Sequence, residues 1–201
     1  MKRLFERCRS ADWGEANPYA VHWAVERDGD TAYLFVRESS GLDSWLRVNL
    51  RFWPREGSYH IGFHDAWKSI RGEVLKEARK ALVLDGAKRL VVAAFSKGAA
   101  IATVAHPDLA KEFGAVETVA FGSPRVVTWR GVQRHDWSGL KRVYVRGDGV
   151  THLPPAILGF KHVGKGEPIG WLGLLITPIS GPLALVWRGV LHHPKWYERC
   201  L

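Results

Sequence analysis

Apolar residues recur along this chain in two alternating rhythms. From Tyr19 to Glu26 and from Thr31 to Arg37, β-branched and aromatic residues dominate, and the runs meet at the turn-forming Asp28-Gly29-Asp30, which predicts a β-hairpin. Leu42, Trp45, Leu46 and Leu50 then mark a short amphipathic helix. Between His60 and Leu84 the positions Phe63, Trp67, Ile70, Val74, Leu75, Ala78, Ala81 and Leu82 keep helical spacing, and Gly86 supplies a C-cap. Lys88 to Phe95 reads as a strand, the residues after Ser96 as an alanine-rich helix, and Val116 to Phe121 and Leu140 to Arg146 as further strands. Strands alternating with helices pack as an α/β fold, a mostly parallel, doubly wound sheet with helices on both faces.

Residues 168–190 are nearly uncharged and rich in Leu, Ile, Gly and Trp. A membrane-spanning helix needs about twenty mostly uninterrupted apolar residues. Here Pro178, Pro182 and several glycines interrupt the run, and Arg188 stands near its end, so it reads as an apolar loop and the start of a C-terminal helix.

With 201 residues and neither an internal repeat nor a low-complexity linker, the expectation is a single domain over 1–201. Cys8 and Cys200 sit near opposite ends and can be paired or free, and two cysteines in this length suit a reducing compartment. The first residues are basic without an apolar core, unlike a secretory signal, so cytoplasmic residence is expected. The net charge of +9 calls for an anionic partner. Nucleic acid is disfavoured because Lys and Arg are dispersed and no binding module is present, which leaves an anionic membrane surface or anionic substrate. His60 and His64 are spaced i, i+4, but no glutamate follows His60 as a zinc-protease motif requires, and the adjacent His192 and His193 point apart, so no metal is expected. Nothing in the pattern fixes an oligomeric state.

The chemistry concentrates at Leu90-Val91-Val92-Ala93-Ala94-Phe95-Ser96-Lys97-Gly98. A buried-type strand breaks at one serine, and small residues two before and two after it, Ala94 and Gly98, allow strand and helix to approach closely. This is the pattern of a nucleophile elbow, although a plain surface turn shares it. Downstream, Asp148 stands between two glycines after a strand, and His162 follows in a second short segment. The order Ser, Asp, His is the one α/β-hydrolases use.

Five segments in order, closed by His162-Val163-Gly164, carry a family resemblance. Phe35-Val36-Arg37-Glu38-Ser39-Ser40 with Trp45 resembles a Phe-Arg-Gly-Ser/Thr segment and its tryptophan, and Tyr59-His60-Ile61-Gly62-Phe63 resembles Val-His-x-Gly-Phe. The Ser96 segment stands where Gly-His-Ser-Leu-Gly-Gly is usual. Phe121-Gly122-Ser123-Pro124-Arg125-Val126 resembles Phe-Gly-x-Pro-Arg-Val, and Asp148-Gly149-Val150 with Leu153-Pro154-Pro155 resembles Asp-x-Val with its Leu-Pro-Pro tail. In this order the motifs resemble the fungal-type, class 3 lipases of the α/β-hydrolase superfamily.

The resemblance implies an α/β-hydrolase fold and a serine-dependent carboxylic ester hydrolase, lipase or esterase, that works on lipid or small ester substrates without a cofactor. It implies Ser96 as nucleophile, His162 as general base and Asp148 as its orienting carboxylate. The oxyanion donors would be the backbone of Lys97 and of Ser39. Segment 41–52 would be a lid helix that either moves or stays packed, with Trp45 and Leu46 against the substrate. The alternative is a noncatalytic protein of the same fold that binds lipid or another partner. Four residues depart from the pattern: Glu38 and Ala94 replace glycines, the first putting an acid beside the oxyanion segment, Phe95 replaces histidine, and Lys97 replaces leucine. The lysine either reaches into solvent or binds an anionic group on the substrate.

Overall fold

The hairpin forms where expected, but its first strand starts late. Asn17 Oδ1 accepts the backbone N–H groups of Tyr19 and Val21 at 3.2 and 3.0 Å, and Ala20 takes φ 47°, so residues 17–21 turn before any strand can pair. The structure, a computed structural model, describes residues 1–10, 17–37, 54–55, 57–170 and 191–201. The lid segment 41–52, Ser39, Trp45, Leu46 and all of 168–190 beyond Gly170 therefore lie outside the described residues.

In chain order the elements are helix α1 (Lys2–Ser10), strands β1 (His22–Asp28), β2 (Thr31–Arg37), β3 (Pro54–Arg55) and β4 (Tyr59–His60), and helix α2 (Ile61–Arg79). Then come β5 (Arg89–Phe95), α3 (Lys97–Phe113), β6 (Val116–Phe121), β7 (Val127–Thr128) and α4 (Trp129–Arg134). The chain continues with β8 (Leu140–Val145), β9 (Phe160–Lys161), β10 (Lys165–Ile169) and α5 (Pro194–Cys200).

The main sheet has the order β1-β2-β5-β6-β8-β10. Every neighbouring pair is parallel except the β1–β2 hairpin at one edge. The two-residue strands β3, β4, β7 and β9 form a separate small antiparallel sheet. Alternation along the strands divides the core. Leu34 and Val36 of β2 and Val92 and Ala94 of β5 face α2 and α3, whereas Phe35, Ala93 and Phe95 face α1 and α5.

Two elements, one in this second layer and one in the main sheet, run against the sequence pattern. The N-terminal helix α1 is highly charged, yet it buries Phe5 and Cys8, and the Phe5 ring packs edge-on against Phe95 and Phe121 at 5.3 and 5.0 Å. Strand β10 carries Lys165, Glu167 and Pro168, a composition that hides a strand; among the described residues it is at the edge of the sheet, a position that tolerates proline. No disulfide joins Cys8, whose Sγ donates to the Val36 carbonyl at 3.6 Å, to Cys200.

Helix α2 buries Phe63, Ala66, Trp67, Ile70 and Val74 and ends in a wider turn over Lys80–Leu84, with Gly86 at φ +77°. Trp67 Nε1 and Arg71 Nε both donate to Asp108 Oδ2, at 2.9 and 2.8 Å, and so fasten α2 to α3. Among the described residues no helix is long and apolar enough to cross a membrane, and no group of His, Cys, Asp or Glu is arranged to hold a metal ion. His60 is fully buried, its ring 4.8 Å from that of Phe63 and 5.6 Å from that of Phe160, while His64 stacks on Tyr59.

Candidate functional site

The strand-to-helix turn at Ser96 is an elbow. Its φ of 55° with ψ of −119° is a conformation that non-glycine residues rarely adopt, and it lifts the side chain off the C-terminal end of β5 at the head of α3. Close approach is enforced by the missing side chain at Gly98: a Cβ there would lie 2.2 Å from the carbonyl oxygen of Val36. Ala94 is completely buried on the other side, so its methyl fits. The backbone N–H of Lys97 lies in the first turn of α3, outside the intrahelical ladder.

Three side chains join at this elbow. His192 Nε2 is 2.7 Å from Ser96 Oγ, and His192 Nδ1 is 2.8 Å from Asp148 Oδ2. The carboxyl of Asp148 is fully buried, and each of its oxygens is engaged: Oδ1 accepts the N–H of Val150 at 2.9 Å, while Oδ2 also accepts the hydroxyl of Tyr197 at 2.6 Å. Desolvation by burial, followed by the charge of Asp148, pushes the Tyr197 hydroxyl well above its ordinary pKa, which keeps it a donor.

The histidine differs from the expected one. His162 follows β9, which pairs with β7 in the small sheet, and the imidazole hydrogen-bonded to Ser96 and Asp148 is that of His192 instead. Burial, and then the neighbouring guanidinium groups of Arg142 and Arg125, push its imidazole down to about 3. A ring surrounded by cations and held neutral has neither the carboxylate nor the serine that a general base needs. His192 has both, and it immediately precedes His193, the N-cap of α5, whose Nδ1 accepts from Lys195 N at 3.3 Å.

The two unusual neighbours of Ser96 take definite places. Phe95 stacks on the His192 ring at 5.2 Å and 16°, an apolar face where the family pattern has a histidine. Lys97 does not reach solvent: it is 4% exposed, and its Nζ donates to the carbonyl of Tyr19 at 2.6 Å. Burial lowers its ammonium to about 8. Gly122, at the end of β6, completes the wall, because a Cβ there would come within 3.0 Å of His192 Cε1 and 2.9 Å of the Tyr197 hydroxyl.

Comparison with known proteins agrees with this architecture. The profile of the lipase (class 3) family matches residues 39–158. The chain is 32% identical over 160 residues to secreted mono- and diacylglycerol lipase A of Penicillium camembertii, covering 76% of this chain and 52% of that protein. Against secreted mono- and diacylglycerol lipase 1 of Fusarium solani it is 30% identical over 145 residues, 68% of this chain and 42% of the other. The Rhizomucor miehei lipase in complex with its propeptide superposes with a TM-score of 0.69 at 25% identity, over 78% of this chain and 55% of that one.

The chain spans about half the length of the curated relatives it matches. Several of these relatives are named as secreted, which overturns the expectation of cytoplasmic residence drawn from the first residues. The solved neighbours are lipases, and the sheet order and flanking helices found here make this an α/β-hydrolase fold. Profile, relatives and fold coincide, and the chain belongs to the class 3 lipase family.

Proposed function

We propose that this chain is a serine-dependent carboxylic ester hydrolase acting through an acyl-enzyme, with Ser96, His192 and Asp148 as its triad. The observation that carries the proposal is the unbroken relay from Ser96 Oγ through His192 to the buried Asp148. A serine hydroxyl is too weak an acid to attack an ester unaided. In the forward step His192 Nε2 takes the proton of Ser96 as Oγ bonds to the carbonyl carbon, and it returns that proton to the departing alcohol. Water then attacks the acyl-serine, again giving its proton to Nε2, and the carboxylic acid leaves as Ser96 recovers its hydrogen.

Asp148 holds the ring in the tautomer with hydrogen on Nδ1 and stabilises the imidazolium between steps. The N–H of Lys97 is proposed as one oxyanion donor; removing a donor of this kind costs about 3–4 kcal/mol of barrier height. Ser39, the proposed second donor, lies outside the described residues. Mono- and diacylglycerols are the substrate class proposed here, because the relatives bear those names.

A noncatalytic protein of this fold has no use for a buried carboxylate aligned with a serine through an imidazole. Labelling with a fluorophosphonate probe tests the proposal. The parent is expected to label and Ser96→Ala not to; a folded parent that does not label overturns it.

A further inference from the structure

The imidazole of His192 sits in a cage of aromatic rings. Phe95 lies flat against it, the centroids 5.2 Å apart at 16°, and Tyr197 meets it edge-on at 6.4 Å and 81°. Behind them, Phe5 of α1 packs edge-on against Phe95 at 5.3 Å and stacks on Tyr197 at 5.7 Å, while Phe95 and Tyr197 meet edge-on at 5.3 Å. Gly122 leaves room for the cage, since a Cβ there would lie 3.2 Å from Phe95 Cε2 and 3.0 Å from His192 Cε1. Phe95 is buried, so its neighbours fix the orientation of its ring.

The hydrogen bonds of His192 leave one motion open. Ring N–H bonds and nitrogen lone pairs lie in the plane of an imidazole, so the contacts to Asp148 and Ser96 fix the two nitrogens but not the tilt of the ring about the line joining them. A flat surface on one side removes that tilt. The same surface acts on charge: the face of an aromatic ring is the negative part of its quadrupole, and a cation within about 6 Å of its centre is attracted to it, more strongly where water is excluded. His192 becomes such a cation at each proton transfer, and its side chain is only 14% exposed.

Among the described residues, the titratable groups in contact with this imidazole are Asp148, from the turn after β8, and Tyr197, from α5. From β5 and β6 it meets Phe95 and Gly122, while the adjacent His193 turns its Nδ1 to the N–H of Lys195 and Lys97 directs its ammonium to the Tyr19 carbonyl. Where the family pattern has a second imidazole, this chain therefore sets a ring that cannot take up a proton. We propose that Phe95 is a positioning residue for His192, its ring setting the tilt of the imidazole and stabilising the imidazolium between proton transfers; this role rests on the hydrolase reading of the triad. His162 has the opposite surroundings, the guanidinium groups of Arg142 and Arg125. A face that favours the imidazolium raises the affinity of His192 for a proton, so weakening that face lowers the pH at which the ring protonates.

The test replaces Phe95 by phenylalanines carrying progressively more ring fluorine, which keep the shape of the ring while draining and finally reversing the charge on its face. On a soluble ester the acid limb of the kcat/KM profile is expected to move to lower pH step by step, by about 0.5–1 pH unit at full fluorination, with kcat falling about three- to tenfold and KM little changed. NMR titration of the His192 imidazole, identified by its loss in His192→Ala, should show the same steps without any turnover. Phe95→Leu, which offers no ring face, should move the limb in the same direction and serves where the fully fluorinated ring packs too tightly. Phe5→Leu removes a brace but leaves the face of Phe95 in place, so it should lower the melting temperature and keep the limb where it is. A limb and a titration that stay put across the series, or that move as far in Phe5→Leu, overturn the role of Phe95. A parent that hydrolyses no ester while its His192 titration follows the fluorine series overturns the hydrolase proposal instead and leaves the effect of the ring face standing.

Discussion

The hydroxyl of Tyr197 lies 2.6 Å from Oδ2 of Asp148, the same oxygen that faces Nδ1 of His192. Tyr197 is thus a positioning residue that acts through the carboxylate. Tyr197→Phe is expected to lower kcat about tenfold, the size of one lost hydrogen bond to a buried charge, with KM little changed. Because a carboxylate with one donor fewer holds an imidazolium more strongly, the acid limb of the kcat/KM profile should move to higher pH. A purely structural role would lower the melting temperature and leave that limb in place.

His192 and His162 make opposite predictions. His192→Ala removes the proton carrier next to Ser96 and should cut kcat by about 10⁴-fold or more on a soluble ester. His162→Ala should keep hydrolysis within about twofold of the parent, since its ring touches neither Ser96 nor Asp148 in the relay. Steady-state kinetics on the two variants decide between the histidines.

His162 should instead show itself in acid stability. Its folded pKa is pushed down to about 3 from 6.5, so below pH 6.5 the unfolded chain binds a proton that the folded chain refuses. Stability is therefore lost progressively as pH falls from 6.5 toward 3. Burial lowers His106 and His135 as well, which adds to the same slope. Urea denaturation across that window should give a shallower loss for His162→Gln than for the parent.

Gly98→Ala tests the elbow's packing. The added methyl would sit 2.2 Å from the Val36 carbonyl oxygen, so β2 and α3 must separate. A loss of about 2–3 kcal/mol in stability is expected, together with a loss of activity, as the strand and helix framing Ser96 shift. Gly72→Ala, with nothing within 4 Å of the new atom, is the matched control and should be neutral or stabilising.

Much of the fold was legible because parallel strands buried on both faces read as continuous apolar runs, as in Leu90 to Phe95 and Val116 to Phe121. Helix α1 and strand β10 were not, since both put charged residues on exposed positions and bury only a few atoms. Ser96 and Asp148 follow strands of the main sheet, and strand ends are visible in the pattern. The histidine is different: His152, His162, His192 and His193 all satisfy the chain order after Asp148, and order alone does not choose among them. A usable signal was His193-Pro194, the cap and first residue of a helix, which holds His192 at a fixed turn. The destination of Lys97 was hidden for the same reason, because the Tyr19 carbonyl it reaches is 78 residues away.

The backbone angles of Ser96 carry a further consequence. At φ 55° and ψ −119° glycine would be more comfortable than serine, so Ser96→Gly should fold more stably while abolishing hydrolysis. Selection for folding alone would therefore push this position away from the side chain that performs the chemistry. A serine kept there against its own conformational preference is a signature of use.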